Sequence, residues 1–189
     1  MATWATSTKM NEEYSIRPVQ ECDLASLLDL VNQSIAESPA NFHWQGRPLA
    51  EIHKEWVDAS DTFPWLALVK EPTGLAVGLA KAGPFRSKQA YAWTAEVTIY
   101  LAESVQGFGQ GKRLYGNLLE VMTDRGFHLA VGAITRPNPA SEGLHGSLGF
   151  ELIGVLPEVG WKTGAWHDVA LWAKRLSDGG ASPRLMPKG

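Results

Sequence analysis

The chain has 189 residues, 44% of them hydrophobic and 20% charged, and its formal net charge at pH 7 is −3. This composition suits one domain with a full core and excludes both a disordered chain and two ordinary domains. A slightly acidic chain lacks the basic footprint of a nucleic-acid binder, so we expect no nucleic acid as a partner. No apolar run in the sequence approaches the ~20 residues that span a bilayer, so we also expect no membrane partner.

The patterns of apolar residues predict the elements in chain order, because strands alternate and helices repeat every three to four residues. The first six elements are a strand, two helices and three strands, at 14–19, 21–36, 49–59, 65–70, 75–82 and 91–101. The next five are a helix, a strand, a helix and two strands, at 112–125, 129–135, 138–148, 150–156 and 169–176. The order β-α-α-β-β-β-α-β-α-β-β predicts a mixed α/β architecture.

The termini and the single cysteine bear on domain limits and location. Cys22 is the only cysteine, so no intrachain disulfide forms, and a reducing, cytoplasmic setting fits. Segment 1–13 is polar and lacks the apolar centre of a signal peptide, and segment 177–189 is rich in Gly, Pro and Ser. We therefore predict one domain over residues 14–176 between two flexible tails.

A glycine-rich turn, QGFGQG from Gln106 to Gly111, lies between a predicted strand and the helix that follows. Glycines let a backbone approach a ligand closely and adopt conformations that other residues avoid. The first amides of a helix have no intrahelical partner, and with the helix dipole they form an anion site suited to a pyrophosphate. An ordinary tight turn is the alternative interpretation.

Two familiar phosphate loops do not fit this turn. A Walker loop requires glycine where Gln106 stands and Ser or Thr where Arg113 stands. A dinucleotide fingerprint requires glycine where Lys112 stands. The turn fits the pattern Gln/Arg-x-x-Gly-x-Gly/Ala instead.

The span from Ile16 to about Leu176 resembles the phosphinothricin N-acetyltransferase branch of the GNAT superfamily. Five blocks carry the resemblance: NFH at 41–43, AGPFRSKQAYAWTAEVTIYL at 82–101, QGFGQGKRLYGNLLEVM at 106–122, PNPASEGLHGSLGF at 137–150 and VGWKTGAWHDVALW at 159–172. The resemblance implies the GNAT fold, an α/β (α+β) arrangement with a mixed, mostly antiparallel sheet, a splayed central strand pair and helices on both faces. It implies an enzyme that transfers an acetyl group from acetyl-CoA directly to the primary amine of a small amino-acid-like molecule. It also implies a homodimer.

The resemblance assigns the acetyl-CoA site, in which no metal is expected. The pantetheine arm would pair with the strand end at Ile99, Tyr100 and Leu101, where a backbone N–H would polarise the thioester carbonyl. The pyrophosphate would lie against the turn and the start of the helix, at Gln106, Gly107, Phe108, Gly109, Gln110, Gly111 and Lys112. Asn138 is expected to contact the cofactor, to cap its helix, or both. Tyr115 is expected to face the cofactor or to pack in the core.

Two residues are expected to be catalytic. Glu96 is the expected general base, because an amine must lose a proton before it attacks the thioester. A carboxylate in an otherwise apolar strand is costly unless it faces a wet cleft, and the alternative is a carboxylate that points outward. His145 is expected to donate a proton to the departing thiolate or to act as the base, and the alternative is a structural histidine.

The amine pocket is expected to be bordered by Phe85, Arg86, Ser87 and Glu96. Arg86 would hold a carboxylate or phosphinate through two parallel hydrogen bonds, and a solvated surface charge is the alternative. Relatives often have a polar residue where Val97 stands, so phosphinothricin itself stays open as the substrate. The competing functions are acetylation of polyamines or peptide N-termini, and a non-catalytic acyl-CoA-binding domain.

Overall fold

The computed structural model describes residues 13–59 and 62–177. Within these ranges the chain forms the following strands and α-helices: β1 Tyr14–Pro18, α1 Leu24–Glu37, α2 Leu49–Ala59, β2 Trp65–Lys70, β3 Leu75–Pro84, β4 Thr94–Leu101, α3 Gln110–Asp124, β5 Leu129–Thr135, α4 Pro139–Ser147, β6 Glu151–Lys162 and β7 Ala165–Arg175. The order of helices and strands is the one predicted. The two predicted tails lie outside the described residues, apart from one residue of each, so the domain limits stay a prediction.

The strands form one sheet in the order β1-β2-β3-β4-β5-β7-β6. All neighbouring strands are antiparallel except β4 and β5, which are parallel. The mixed, mostly antiparallel sheet predicted from the sequence is therefore confirmed.

The parallel pair is short and then opens. β4 and β5 pair only at Thr94↔Leu129, Ala95↔Ala130 and Glu96↔Val131. Beyond these pairs β4 stays bonded to β3 as far as its last residue, and β5 stays bonded to β7. The two strands thus separate in the middle of the sheet, and this confirms the predicted splayed pair.

The helices cover both faces of the sheet. Leu114, Leu118 and other residues of α3 pack in one hydrophobic cluster with Ala95 and Val97 of β4. Residues of α1 and α2 form a second cluster on the opposite face, and Tyr100 packs against it. Because side chains alternate along a strand, the even-numbered residues of β4 face α1, and the odd-numbered ones face α3.

Helix α3 begins directly after the glycine turn. Gly109 is its N-cap residue and has φ +80°, a left-handed conformation that glycine adopts without a Cβ clash. Leu114, Leu118 and Met122, spaced four residues apart, are fully buried and fix the helix on the sheet. The helix starts at Gln110, two residues before the predicted start, because Gly109 already ends the turn.

The last two strands are longer than predicted. No strand was predicted over residues 157–168, a Gly/Trp-rich connection, but β6 continues to Lys162 and β7 begins at Ala165. Thr163 and Gly164, which connect β6 to β7, both have positive φ, as the two central residues of a type I′ hairpin turn do. An irregularity in the register between Leu156 and Gly160 interrupts the alternation, and this hid the strand in the sequence pattern.

Candidate functional site

A cavity of about 600 Å³ lies between the splayed ends of β4 and β5. On one side it is walled by the glycine turn, the start of α3 and helix α4, and on the other by α1 and the loop that follows it. The predicted cofactor and catalytic residues that line it are Ile99, Tyr100, Leu101, Gln106, Gly107, Gly109, Gly111, Lys112, Asn138 and His145. Residues far apart in sequence therefore meet in one cleft. The cleft passes through the sheet from one face to the other, so it can hold an extended ligand.

Some predicted site residues do not line this cavity. Phe108 lies on the turn with 54% of its surface exposed, and Gln110 and Tyr115 are fully buried. Phe85, Arg86 and Ser87 lie between β3 and β4, outside the cavity lining. Their predicted contacts with a ligand stay predictions.

The glycine turn has the features of an anion site. Gly107 and Gly109 have φ near +80°, and a Cβ added at either would meet no atom within 4 Å. Packing therefore does not require glycine there; the backbone conformation does, and the space beside the turn is open. Within the described chain, no backbone hydrogen bond to another segment is donated by the amides of Gly111 or Lys112. These amides begin α3, where the helix dipole favours negative charge, so a diphosphate fits the residues present.

Two polar side chains hold the rim of the cleft in place. Gln106 Nε2 donates to the carbonyl of Leu101 at 3.0 Å and so ties the turn to the end of β4. Asn138 Oδ1 accepts from the amide of Ser141 at 3.1 Å, which makes Asn138 the N-cap of α4 as well as a lining residue. The helix-capping role expected for Asn138 is thus observed.

His145 is a buried ring with both nitrogens engaged. Nδ1 lies 2.8 Å from the carbonyl of Ser141, and Nε2 lies 3.0 Å from the hydroxyl of Tyr115. A carbonyl only accepts, so Nδ1 carries the proton and Nε2 accepts from the tyrosine. Gly132 makes room for the ring, because a Cβ there would lie 2.5 Å from Nε2.

The electrostatics of this pair follow from burial. Desolvation lowers the pKa of His145, while the bond to Ser141 acts in the opposite direction. Burial raises the pKa of the Tyr115 hydroxyl, so it stays protonated and can donate. His145 is therefore a neutral imidazole at pH 7.

Glu96 forms the last residue pair before β4 and β5 separate, and it is another predicted site residue that does not line the cavity. Its side chain reaches solvent, yet desolvation by the surrounding protein still raises the pKa of its carboxyl, and Lys81 acts in the opposite direction. Lys81 itself is ion-paired with Glu55, which Arg47 also contacts at 2.7 Å. No ion pair of the described chain includes Glu96.

Arg86 is held over aromatic rings in the loop between β3 and β4. Its guanidinium carbon lies 5.2 Å from the ring centre of Phe85 and 5.9 Å from that of Tyr91. The two rings meet edge to face at 5.7 Å. These contacts orient an exposed cation, and Tyr91 is a member of this group that the sequence interpretation missed.

The sequence interpretation also missed one whole wall of the cavity. Leu30, Ser34 and Glu37 of α1 line the cleft, together with Ser38 and Ala40 of the next loop. The periodicity of α1 identifies its core face but gives no sign that another part of the helix faces a cavity.

Neither a membrane-spanning helix nor a group of metal ligands is found in the described part of the chain. In residues 13–59 and 62–177 no helix is long and apolar enough to cross a membrane. The same ranges contain no grouping of three His, Cys, Asp or Glu side chains that could hold a metal ion.

Comparison with known proteins identifies the family. Residues 29–150 match the acetyltransferase (GNAT) family model. The chain is 39% identical over 163 residues to a phosphinothricin N-acetyltransferase of Streptomyces viridochromogenes, covering 84% of this chain and 86% of that protein. It is 30% identical over 165 residues to an L-methionine sulfoximine/L-methionine sulfone acetyltransferase of Salmonella typhimurium, covering 87% and 95%.

A solved structure agrees with the sequence matches. The crystal structure of a GNAT superfamily phosphinothricin acetyltransferase from Sinorhizobium meliloti in complex with AcCoA has a TM-score of 0.87 to this chain. The two share 29% identity, over 92% of this chain and 94% of that chain. These findings confirm the resemblance inferred from the five sequence blocks.

The state of His145 is open to direct measurement. In the wild type, NMR should show a neutral ring protonated at Nδ1 at pH 7. The hydrogen bond from the Tyr115 hydroxyl to Nε2 stabilises the neutral form of His145. Tyr115→Phe removes this donor, so the pKa of His145 should rise towards its usual 6.5. Tyr91→Phe, in a distant loop, should leave the titration unchanged. A doubly protonated His145 in the wild type at pH 7 would contradict this assignment.

Proposed function

The chain belongs to the acetyltransferase (GNAT) family and is an N-acetyltransferase, and we propose that it acetylates the primary amine of a small amino-acid-like molecule, such as phosphinothricin or methionine sulfoximine. The observation that carries this proposal is the cleft between β4 and β5, with the glycine turn on one side, and Glu96 in the last residue pair before the two strands separate. Acetylation of polyamines or peptide N-termini, and a non-catalytic role, are not favoured, because the relatives described above are named as acetyltransferases of amino-acid analogues.

Acetyl-CoA is the proposed co-substrate. The amides of the turn and of the start of α3 would hold its pyrophosphate, with Gln106, Phe108 and Lys112 beside them. The unpaired edge of β4 at Ile99, Tyr100 and Leu101 would hold the pantetheine as an added strand does. When bound, acetyl-CoA supplies the acetyl group as a thioester that an uncharged amine can attack. The Sinorhizobium meliloti relative, whose structure is described as a complex with AcCoA, supports this assignment.

Glu96 is the proposed general base. Its carboxylate takes the proton from the substrate ammonium and so frees the lone pair of the nitrogen. The raised pKa makes this carboxylate a stronger base than an ordinary glutamate. Since the ionised form is the active one, activity should fall as the pH drops through that raised pKa.

His145 is proposed to act as a neutral residue of the site. Its lowered pKa disfavours the imidazolium that would protonate a thiolate. Nε2 already accepts from Tyr115 and Nδ1 faces the carbonyl of Ser141, so of the roles that the sequence left open we favour a structural histidine over a proton donor or a proton acceptor. Tyr115, as the donor to Nε2, would orient the ring from the core.

Arg86 is the proposed anchor for the acidic group of the substrate, with Phe85 and Ser87 as its neighbours in the pocket. A guanidinium forms two parallel hydrogen bonds with a carboxylate or phosphinate, and the rings of Phe85 and Tyr91 already orient it. An amino acid offers such a group beside its amine, whereas a polyamine does not.

The β6–β7 hairpin is the proposed homodimer surface, and the cytoplasm is the proposed location. The hairpin carries large hydrophobic side chains with 37–65% of their surface exposed: Leu152, Ile153, Val155, Leu156, Val159, Trp161 and Trp166. Several large apolar side chains exposed on one hairpin are typical of an association site. Sedimentation at twice the 20.6 kDa chain mass would support a dimer, and sedimentation at the single mass would contradict it. Cell fractionation tests the location.

Glu96→Gln tests the catalytic assignment. In a coenzyme A release assay with phosphinothricin, methionine sulfoximine, common amino acids, polyamines and short peptides, the wild type should acetylate an amino-acid-like amine best. The variant should lose about 10²–10⁴-fold in kcat, because the amide cannot take a proton. Calorimetry should show unchanged acetyl-CoA affinity. Glu120→Gln, an exposed residue of α3, is the control, and normal turnover in Glu96→Gln would remove Glu96 from the mechanism.

Arg86→Met tests the anchor. The KM for a substrate with a carboxylate or phosphinate beside the amine should rise about ten- to hundredfold, as the loss of a charge-assisted pair predicts. The KM for an uncharged amine of similar size should hardly change. Arg175→Met, at the exposed end of β7, is the control. An equal effect on both classes of amine would show that Arg86 is not a recognition group.

A further inference from the structure

The loop after α1 spans the splayed strands. Its residues 38–41, here called the strap, cross the face of the sheet that α1 covers. Asn41 Nδ2 donates to the hydroxyl of Tyr100 on β4 at 3.0 Å, and Thr135 Oγ1 on β5 donates to the carbonyl of Ala40 at 3.4 Å. Ser38 and Ala40 line the cavity. The strap therefore walls the cleft on one side and contacts both of the strands that form it.

A single buried lysine holds the strap. Lys162 of β6 is 7% exposed, and its Nζ donates to the carbonyls of Ile35 at 2.7 Å, Ser38 at 3.0 Å and Asn41 at 2.5 Å. An ammonium has three N–H donors, so all of them are used on the strap and the last turn of α1. The end of α1 also carries the negative pole of the helix dipole, which favours a cation there.

The charge of Lys162 is not balanced by a carboxylate in the described chain, where no ion pair includes it. Burying an ammonium is costly unless it is well bonded, and here three backbone carbonyls compensate it. Loss of the lysine would leave those carbonyls without their donor in a buried place.

The hairpin contacts the segment after the strap as well. The Phe42 ring packs directly on Gly160, where an added Cβ would lie 2.2 Å from a ring carbon. Its centre is 6.3 Å from that of His167. Gly160 of β6 and His167 of β7 thus both contact Phe42, the residue that follows the strap.

The face on which the strap lies decides which ligand it affects. The glycine turn and α3 are on the opposite face of the sheet, whereas Glu96 and Tyr100 share the face of α1 and the strap. The strap lines the same cavity as the glycine turn. Because it lies on the face of the sheet that carries Glu96, we expect it to affect the binding of the amine more than that of the diphosphate.

We propose that Lys162 is a positioning residue for the amine pocket: it binds three carbonyls of the strap and of α1 and so holds the strap against the splayed strands. The assignment of this pocket to the amine rests on the proposed function. The geometry of the strap does not.

Lys162→Met removes the three donors and keeps a side chain of similar length. The amine KM should rise about ten- to hundredfold, while the acetyl-CoA Kd from calorimetry should change less than about threefold. Lys162→Arg, which restores a cationic donor, should recover part of the loss. Lys174→Met is the matched control, because Lys174 of β7 also donates to a backbone carbonyl, that of Leu148, away from the strap.

Hydrogen–deuterium exchange over residues 36–43 reads the strap without any substrate. Exchange should quicken in Lys162→Met and stay at the wild-type rate in Lys174→Met. If Lys162→Met does not fold, Asn41→Ala decides, since it removes the bond from the strap to Tyr100 and should also raise the amine KM.

Two results would overturn the proposal. The first is unchanged exchange over residues 36–43 in a folded Lys162→Met. The second is an unchanged amine KM in Lys162→Met or, if that variant does not fold, in Asn41→Ala. A wild type that releases no coenzyme A with any amine would instead refute the proposed function, and exchange would still decide the role of Lys162.

Discussion

β4 and β5 hold each other through three residue pairs only, from Thr94↔Leu129 to Glu96↔Val131, and the site depends on where this pairing ends. Backbone amides and carbonyls inside a fold need partners, so an interrupted ladder in the middle of a sheet is costly unless something else occupies it. The outer neighbours make the interruption possible, because β3 and β7 stay bonded to β4 and β5 as far as Leu101 and Thr135. The result is a strand edge that is open to a ligand yet held rigidly on its other side.

The sheet separates the two chemical tasks of the site. On one face, the positive φ of Gly109 aims the start of α3 at the cleft, and this face suits the diphosphate. On the other face lie the strap and Glu96, the residue that we propose as the general base. The β6–β7 hairpin reaches this second face through Lys162, so a surface proposed for dimerisation also holds the strap.

The sequence predicted what depends on local patterns and conformational rules. α3 and β5 were placed to within two residues, because their apolar periodicity is strong and glycine marks the helix ends. The glycine turn and the cap at Asn138 were also recognised locally. The hairpin was missed because a register irregularity near Gly160 breaks the alternation of β6.

Other features of the site depend on contacts between distant segments. Lys162 and Ile35 are 127 residues apart, so no local pattern connects them. His145 Nε2 likewise contacts the hydroxyl of Tyr115, which is 30 residues away. Periodicity identifies the core face of a helix, but it does not show which other residues face a cavity, and the contribution of α1 was therefore absent from the predicted site.

Calorimetry with coenzyme A tests the central claim that the glycine turn binds a diphosphate beside the splayed strands. Gly109 and Gly74 both have positive φ and open space where a Cβ would be, but only Gly109 lies in the cleft. Alanine at either position carries a similar backbone strain, so Gly74→Ala controls for it. The wild type and Gly74→Ala should bind coenzyme A equally. Gly109→Ala disfavours the left-handed conformation of the turn, so it should bind coenzyme A about tenfold or more weakly, a loss of about 1.4 kcal/mol or more in binding free energy. Equal affinity in all three proteins, or no binding by the wild type, would contradict the account.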